Sequence, residues 1–223
     1  MPIDWYRWHA GYAGPTAARL GVVQEQILHA LAETDASPIR VISICAGQGH
    51  DIVGALQDFE RADEVEALLV ELDERNVEAA RQRIADASLT GITVETADAG
   101  TTDAYTSIAP AHLILVCGVF GSLTDDDIDT TVGLLPSIAS PHAQVVWTAN
   151  RIAPGLWDEV LAAFARHGFE TSWTTDDQLD TFGVGRHQLN RRSGALRPGQ
   201  RMFSFADEET LLRIGRISLP DDS

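Results

Sequence analysis

Three short stretches of the sequence carry side chains and turns that could hold a nucleoside. Gly47-Gln48-Gly49 is a small-residue turn whose backbone a ligand can approach closely, because glycine has no β-carbon. Glu71 lies 22 residues beyond Gly49, and its carboxylate could accept hydrogen bonds from both hydroxyls of a ribose. Asp98 follows, in Ala97-Asp98-Ala99-Gly100, where an acid could accept from an exocyclic amine such as that of adenine. Each acid alone is more typical of a helix cap or a solvated loop end, but the ordered set of three predicts a nucleoside site.

Each of these stretches follows a predicted strand. The apolar run Arg40–Cys45 leads into the glycine turn, Val65–Glu71 ends in the first acid, and Ile92–Thr96 precedes the second. Apolar residues at helical spacing follow the first two strands, so strands and helices alternate along the chain. Because parallel strands bring their carboxyl ends to the same edge of a sheet, we expect the turn and the two acids to converge.

The pattern changes in the later part of the chain. His112–Cys117 and Gln144–Trp147 are predicted to continue the parallel sheet, whereas Phe169–Trp173, Gly183–Leu189 and Met202–Phe205 look like strands without intervening helices. The predicted fold is therefore α/β: a doubly wound, mostly parallel Rossmann-like sheet with an antiparallel C-terminal strand addition and an N-terminal helical cap.

The chain divides into three regions that we expect to form one domain. Residues 1–36 hold an aromatic segment and then a helix, which is predicted to dock on the sheet because its apolar residues repeat at helical spacing. Residues 37–190 form the predicted core, and residues 191–223 form a C-terminal extension with a short strand. The aromatic segment has two interpretations, packing in the core or a lid over the site.

Composition argues against several kinds of chemistry and partner. All 16 basic residues are arginine, so there is no lysine for a Schiff base or a phosphate-binding loop. The formal net charge of −17 argues against a nucleic-acid substrate. No apolar run approaches membrane-spanning length and the N-terminus has no apolar signal core, so we expect a cytoplasmic protein with no membrane partner. Cys45 and Cys117 are expected to be reduced structural thiols, and no Cys/His cluster has metal-ligand spacing, so we expect no metal.

At the glycine turn and the strand ends, the chain resembles the class I S-adenosylmethionine-dependent methyltransferases over about residues 38–190. That family's first motif has an acid and then three glycines at alternate positions. Gly47 and Gly49 match the last two glycines, whereas Cys45 replaces the first glycine and Ser43 replaces the acid. The later motifs are similar to Val70-Glu71-Leu72-Asp73, to Asp98-Ala99 and to Val116-Cys117-Gly118. Among members, the chain is similar to uncharacterised actinobacterial ones.

The resemblance implies that the cofactor is S-adenosyl-L-methionine and that the reaction is methyl transfer by in-line displacement to a small-molecule acceptor. It leaves open the acceptor, the atom that is methylated and the oligomeric state. Asp51 is assigned to the cofactor because it could compensate for the missing acid at Ser43, and the N-terminal segment is the alternative source of that contact. The full set of implied cofactor-binding residues is Ala46, Gly47, Gln48, Gly49, Asp51, Glu71, Leu72, Asp98, Ala99, Cys117 and Gly118.

The residues for catalysis and for the acceptor are less sharply defined. A sulfonium is already a good leaving group, so a catalytic base is not obligatory. Where the acceptor is a hydroxyl, His9 and Tyr12 are the candidates for assisting its deprotonation. Tyr6, Trp8 and Phe120 are predicted to form an apolar acceptor pocket.

Two other functions stay open at this point. Glu71 would also suit an NAD-dependent oxidoreductase, but the turn lacks a third glycine at dinucleotide spacing after Gly49, and Asp98 would then have no role. The other alternative is a protein that binds the cofactor without methyl transfer, which the departures at Ser43 and Cys45 keep open.

Overall fold

The computed structural model describes Tyr6 and residues 15–175, 181–191 and 194–217. Within them, seven strands form one sheet in the order β3-β2-β1-β4-β5-β7-β6. The strands are β1 (Ile39–Ile44), β2 (Val65–Glu71), β3 (Ile92–Thr96), β4 (Ala111–Val116), β5 (Ala139–Asn150), β6 (Phe169–Thr174) and β7 (Phe182–Leu189). The helices are α1 (Pro15–Ala32), α2 (His50–Gln57), α3 (Glu74–Asp86), α4 (Asp125–Ile138), α5 (Leu156–Arg166) and α6 (Glu208–Arg213).

The sheet has the predicted mixed topology. Strands β3, β2, β1, β4 and β5 are parallel neighbours, β7 pairs antiparallel with β5, and β6 pairs antiparallel with β7. The strand order reverses between β1 and β4, so the chain connections leave these two neighbours in opposite directions. A crevice forms at the carboxyl edge of a sheet at such a point, and this is where open α/β sheets bind ligands.

The central strands are buried on both faces, which explains their nearly continuous apolar runs. On one face, α4 and α5 pack through apolar side chains such as Val132 and Phe164. On the other face, α1, α2 and α3 pack through side chains such as Ile27, Leu56 and Val77. Two helical layers therefore hold the sheet, and the strand ends with their following loops are left to form a site.

Helix α1 is docked by polar contacts as well as by its apolar face. The Gln24 side-chain amide donates to the His50 carbonyl at 2.9 Å, which ties α1 to the start of α2. The buried Arg186 guanidinium on β7 donates to the Glu33 carboxylate just beyond α1 and to the Gln144 amide oxygen on β5, both at 2.7 Å. The predicted docking of the N-terminal helix on the sheet is confirmed by these contacts.

The strand predicted at Met202–Phe205 is not formed, which corrects the prediction for the C-terminal extension. An isolated antiparallel bridge joins Thr101 to Arg201, and the residues after it are irregular. The partner of this segment is the loop after β3 and not a strand, so no ladder can extend along it. We call residues 197–206 the C-terminal strap, because they cross from the loop after β3 to the loop after β4, where the Ala206 amide donates to the Ser122 carbonyl.

A buried histidine lies in the aromatic part of the core. His187 on β7 is 1% exposed, and its Nδ1 accepts a hydrogen bond from the Trp147 indole N–H at 2.9 Å. Its ring stacks on Phe164 with the ring centroids 4.5 Å apart. Burial lowers the pKa of His187 to about 4, because an imidazolium would lose its hydration there. The folded protein therefore holds this histidine neutral.

The depressed pKa of His187 predicts a pH-dependent loss of stability. Above about pH 6.5, the ordinary pKa, His187 does not reduce the free energy of unfolding. This free energy decreases as the pH falls towards about 4, because only the unfolded chain binds the proton in that range. This loss amounts to about 3 kcal/mol. His187→Asn retains an acceptor for Trp147 and does not titrate, so urea unfolding at a series of pH values should show a flatter dependence than in the wild type. The variant loses ring stacking and is less stable at neutral pH, but equal pH dependence in the two proteins would contradict the assignment.

Candidate functional site

A cavity of about 330 Å³ opens at the carboxyl edge of the sheet, where the chain leaves β1 and β4 in opposite directions. It is bordered by the ends of β1, β2 and β4, the loop after β3, the start of α2, one side of α1 and the C-terminal strap. Small-molecule sites typically measure about 300–1,000 Å³. The cavity therefore has room for a ligand of nucleoside size, and it lies where open α/β sheets bind their ligands.

Most of the residues assigned to the cofactor line this cavity. The structure brings together eight of the eleven, namely Ala46, Asp51, Glu71, Leu72, Asp98, Ala99, Cys117 and Gly118. They come from four separate loops, so their convergence follows from the parallel register of the strands and could not come from nearness in sequence.

The other three assigned residues, Gly47, Gln48 and Gly49, form the turn behind the cavity wall. Gly49 has φ 68° and precedes α2 as its N-cap, and a β-carbon there would lie 2.9 Å from Cδ2 of Leu69. Gln48 is buried with its amide 3.3 Å from Oδ1 of Asn76, at the start of α3. Their direct contact with a cofactor stays a prediction, whereas their part in shaping the turn is visible in these contacts.

Glu71 connects the turn to the second strand. Its Oε2 accepts a hydrogen bond from the Gly47 amide at 2.8 Å, and its Oε1 accepts one from the Asp73 amide at 2.9 Å. The carboxylate is partly exposed and lines the cavity. Since each carboxylate oxygen can accept more than one hydrogen bond, both oxygens retain capacity for a pair of hydroxyls.

Asp98 is held by two donors in the wall of the cavity. Its Oδ1 accepts from the Gly100 amide at 2.8 Å, and its Oδ2 lies 2.6 Å from Nη1 of Arg201. Partial burial raises the pKa of Asp98, but the hydrogen bonds from Arg201 and Gly100 and the charge of Arg201 outweigh it, so the net pKa is below the ordinary value. The side chain is therefore an ionised acceptor at neutral pH.

The third carboxylate of the cavity, Asp51, is in a different environment. Burial raises its pKa, and the hydrogen bond from the Ile52 amide at 2.7 Å and the nearby charge of Arg19 oppose this rise in part. Arg19 lies on α1 and lines the cavity beside Asp51. The cavity wall thus presents the Asp51 carboxyl group and the Arg19 guanidinium together. This pair suits a ligand that carries both an ammonium and a carboxylate group, because a bound ammonium would favour the ionised form of Asp51.

Both cysteines line the cavity as free thiols. Burial raises the pKa of Cys45, with the charges of Glu71 and Asp98 adding to the effect, and burial likewise raises the pKa of Cys117. Because only a thiolate is a strong nucleophile, neither residue is prepared for covalent catalysis. Among the described residues, no group of His, Cys, Asp and Glu side chains is placed to hold a metal ion.

The position of Phe120 corrects the prediction that this residue lines the acceptor pocket. Its ring is completely buried and packs edge-on against Trp147 and Phe164, with centroids 5.9 and 6.2 Å apart. A short 3-10 turn over Phe120–Ser122 directs this side chain into the core and away from the cavity. Phe120 therefore stabilises the loop after β4 and does not line the site.

The N-terminal candidates are only partly covered by the described residues. Tyr6 is exposed, its carbonyl accepts from the Gln48 side-chain amide at 3.4 Å, and its ring lies 5.1 Å from the Arg75 guanidinium carbon. These contacts put Tyr6 beside the glycine turn, but it is not among the residues that line the cavity. Trp8, His9 and Tyr12, as well as the proposed lid, lie outside the described residues.

Several residues that line the cavity were not identified from the sequence. Arg19 and Leu20 come from α1, while Arg201, Phe203 and Phe205 come from the C-terminal strap. The arginine-rich stretch that contains Arg201 has the composition of a solvated surface, so composition gave no indication that Arg201 lines the cavity. Arg19 lies four residues before the buried Val23, and this helical spacing is the signal that could have placed it on the inward side of α1.

Comparison with known proteins identifies a matching family. A family model described as "Putative methyltransferase" matches residues 10–175. No curated protein sequence matches the chain significantly.

Solved structures share the fold at low sequence identity. Magnesium protoporphyrin IX methyltransferase from Synechocystis PCC 6803, crystallised with bound SAH, is 12% identical with a TM-score of 0.64, and the alignment covers 82% of this chain and 93% of that one. The same enzyme with bound SAM aligns with a TM-score of 0.61 at 12% identity, over 85% of this chain and 86% of that one. An O-methyltransferase family protein from Burkholderia thailandensis is 13% identical with a TM-score of 0.60, over 79% and 57% of the two chains.

The glycine requirement at the turn is testable. Gly49→Ala should lower the free energy of unfolding by about 1–3 kcal/mol, because a non-glycine residue is strained at this φ and its β-carbon would crowd Leu69. Gly21→Ala in α1 is the matched control: its β-carbon meets no atom within 4 Å, so it should leave stability equal or slightly higher. Chemical denaturation measures both, and an unchanged Gly49→Ala protein would contradict the turn geometry.

Proposed function

Because the chain belongs to this family of putative methyltransferases, we propose that its cavity binds S-adenosylmethionine and that it transfers the methyl group to a small-molecule acceptor. The reaction is S-adenosylmethionine-dependent methyl transfer. One observation carries the assignment of the site: Glu71 and Asp98, the two acids at the ends of neighbouring strands, line the same cavity. Two solved structures with this fold contain SAM or SAH.

The chemistry of the cavity fits this cofactor. Glu71 offers a carboxylate at the end of β2 for the two ribose hydroxyls, and Asp98 offers one for the exocyclic amine of adenine. Leu72, Ala99 and Gly118 supply apolar or small surfaces for the base. The exposed Leu72 side chain, 68% accessible, is a surface that a base would cover.

The methionine end of the cofactor must be bound by residues other than the acid of the family motif, because Ser43 replaces that acid. We assign the cofactor's ammonium group to Asp51 and its carboxylate to Arg19, which lie close to each other in the cavity wall. A bidentate pair with a guanidinium is the strongest arrangement available for a carboxylate. Helix α1, which supplies Arg19, then takes over part of the recognition that the missing acid provides in the motif.

The bound cofactor supplies an activated methyl group on a sulfonium. The residues of the chain have to hold the donor, align the acceptor and exclude water, and such positioning accounts for a large part of the rate of two-substrate reactions. Neither cavity thiol is a base at neutral pH, because burial raises the pKa of Cys45 and of Cys117. His9 and Tyr12 stay the proposed candidates for assisting a hydroxyl acceptor.

A small molecule is the acceptor class that we propose. The net charge of −17 disfavours a nucleic acid as the acceptor. No helix in the described part of the chain has both the length and the apolar character needed to cross a membrane. We propose the cytoplasm as the place of action, where the two free thiols would remain reduced.

Calorimetric titration tests the cofactor and the role of Glu71 together. S-adenosylmethionine and S-adenosylhomocysteine should bind with micromolar dissociation constants, and Glu71→Gln should weaken both by about 1–3 kcal/mol through loss of charged hydrogen bonds to the ribose. Glu66→Gln on the same strand is the matched control, because its side chain is exposed at the far end of β2. No binding of either sulfur nucleoside would contradict the proposal, and binding of oxidised nicotinamide cofactor in their place would favour an oxidoreductase.

Binding without methyl transfer is the alternative that turnover distinguishes. One solved structure with this fold, 10% identical and with a TM-score of 0.56, is a [4+2]-cyclase. Incubation of the protein with methyl-labelled cofactor and a library of small hydroxyl, amine, thiol and carbon acceptors should release S-adenosylhomocysteine with at least one acceptor. Tight binding without release across the library would favour the cofactor-binding alternative.

A further inference from the structure

The C-terminal strap belongs to the wall of the cavity, although it lies beyond residues 10–175, which the family model matches. Arg201, Phe203, Ser204 and Phe205 all line the cavity. Phe203 is 3% exposed, whereas Phe205 is 52% exposed, so the strap presents one anchored and one accessible aromatic ring at the site. This part of the wall is therefore a property of the chain itself and is not described by the matched region.

Hydrogen bonds fix the strap at both of its ends. Its first half is bonded to the loop after β3, and its last residue is bonded to the loop after β4. These bonds are Thr102 Oγ1 to the Arg197 carbonyl at 2.7 Å, the Gly199 amide to Asp103 Oδ2 at 2.8 Å, the Met202 amide to the Gly100 carbonyl at 2.8 Å and the Ala206 amide to the Ser122 carbonyl at 3.0 Å. The strap thus has a defined path across the end of the cavity that contains Asp98.

Gly100 makes this close approach possible. A β-carbon at position 100 would lie 2.5 Å from the Phe203 carbonyl oxygen and 2.9 Å from Nη1 of Arg201. The first of these atoms belongs to the backbone and cannot rotate away, so any larger residue would displace the strap. The glycine in the loop after β3 and the path of the strap are therefore coupled.

The contact between Arg201 and Asp98 joins the strap to the proposed base-binding acid. Oδ2 of Asp98 is 2.6 Å from Nη1 of Arg201, while Oδ1 accepts from the Gly100 amide. With a donor on each oxygen, the plane of the carboxylate is fixed, and each oxygen can still accept a further hydrogen bond. Both side chains are about half exposed, 53% and 52%, so this ion pair contributes little to the stability of the fold.

We propose that Arg201 is a positioning residue of the cofactor site: it holds the Asp98 carboxylate in the orientation that accepts from the exocyclic amine of the cofactor's base. The strap thereby determines selectivity for adenine, although it lies outside the residues that the family model matches. This inference rests on the proposed function, because it requires that a sulfur nucleoside binds in the cavity. An acid held rigidly discriminates strongly against a base that lacks the donor, since the site's own acceptor is then left unpaired.

Two nucleosides and two matched variants test the proposal. The deamino analogue of S-adenosylhomocysteine, which has purine in place of adenine, carries a hydrogen at C6 and has no N–H donor on its base, so it cannot donate to Asp98. Arg201→Met should weaken the binding of S-adenosylhomocysteine by about tenfold and that of the deamino analogue by less than about twofold, so that the preference for adenine falls. Arg197→Met, whose exposed side chain lies on the same strap and outside the cavity wall, should change neither affinity. Arg201→Lys should restore part of the preference, because an ammonium retains one charged donor.

The outcomes separate a positioning role from a structural one. Arg201→Met should melt within about 2 °C of the wild type, since a half-exposed ion pair contributes little to stability. An equal loss of affinity for both nucleosides would show that Arg201 only completes the cavity wall. Unchanged affinities would show that Arg201 has no role in binding. Either result overturns the proposal. If the wild type binds neither nucleoside, the proposed function itself fails, and the inference fails with it.

A glycine pair provides an independent test that changes no charge. Gly100→Ala should displace the strap and reduce the preference for adenine in the same direction as Arg201→Met. Gly121→Ala, in the adjoining loop after β4, is the control, because its β-carbon would meet no atom within 4 Å. A Gly100→Ala protein that folds and keeps the full preference would overturn the role of the strap.

Discussion

The hydrogen bond from the Gly47 amide to the Glu71 carboxylate is the contact on which the rest of the site depends. It ties the turn after β1 to the end of β2, two strands that are aligned by the pairing of Ile44 with Val70. The same carboxylate accepts from the Asp73 amide, and Asp73 caps α3. One side chain therefore fixes a turn, a strand end and a helix start before any ligand is present. A ligand that binds to Glu71 meets an acceptor that is already oriented, so little ordering remains to oppose binding.

The glycine turn keeps its shape although its first glycine is absent. Cys45 adopts φ 52°, a left-handed conformation that is strained for a residue with a β-carbon, and the Ala46 amide bonds to the Val70 carbonyl at 3.0 Å to hold it there. The loss of the acid at Ser43 has a separate consequence, because it removes a carboxylate from the methionine end. Arg19 on α1 and Asp51 on α2 line the cavity, and we propose that these two helices supply the recognition that the strand motif lacks.

The sequence predicts the parts of the site that follow from periodicity, and it misses the parts that depend on long-range docking. The order of apolar strands and the acids after them is sufficient to place Glu71 and Asp98 at one edge, because parallel register leaves no other arrangement. Arg201 is about one hundred residues from Asp98, and no period or motif connects the two. The prediction for Phe120 was wrong for a local reason. A single 3-10 turn decides whether the aromatic side chain of a loop enters the core or the cavity, and the apolar character of the side chain fits either place.

The most direct test of the central claim is a crystal structure of the protein with S-adenosylhomocysteine. We predict that the nucleoside lies in the cavity, with the Glu71 carboxylate within hydrogen-bonding distance of both ribose hydroxyls. Asp98 should remain paired with Arg201 and accept from the exocyclic amine. The amino-acid end of the ligand should lie between Asp51 and Arg19. Density for the nucleoside at another surface, or a base turned away from Asp98, would contradict the proposed cofactor site.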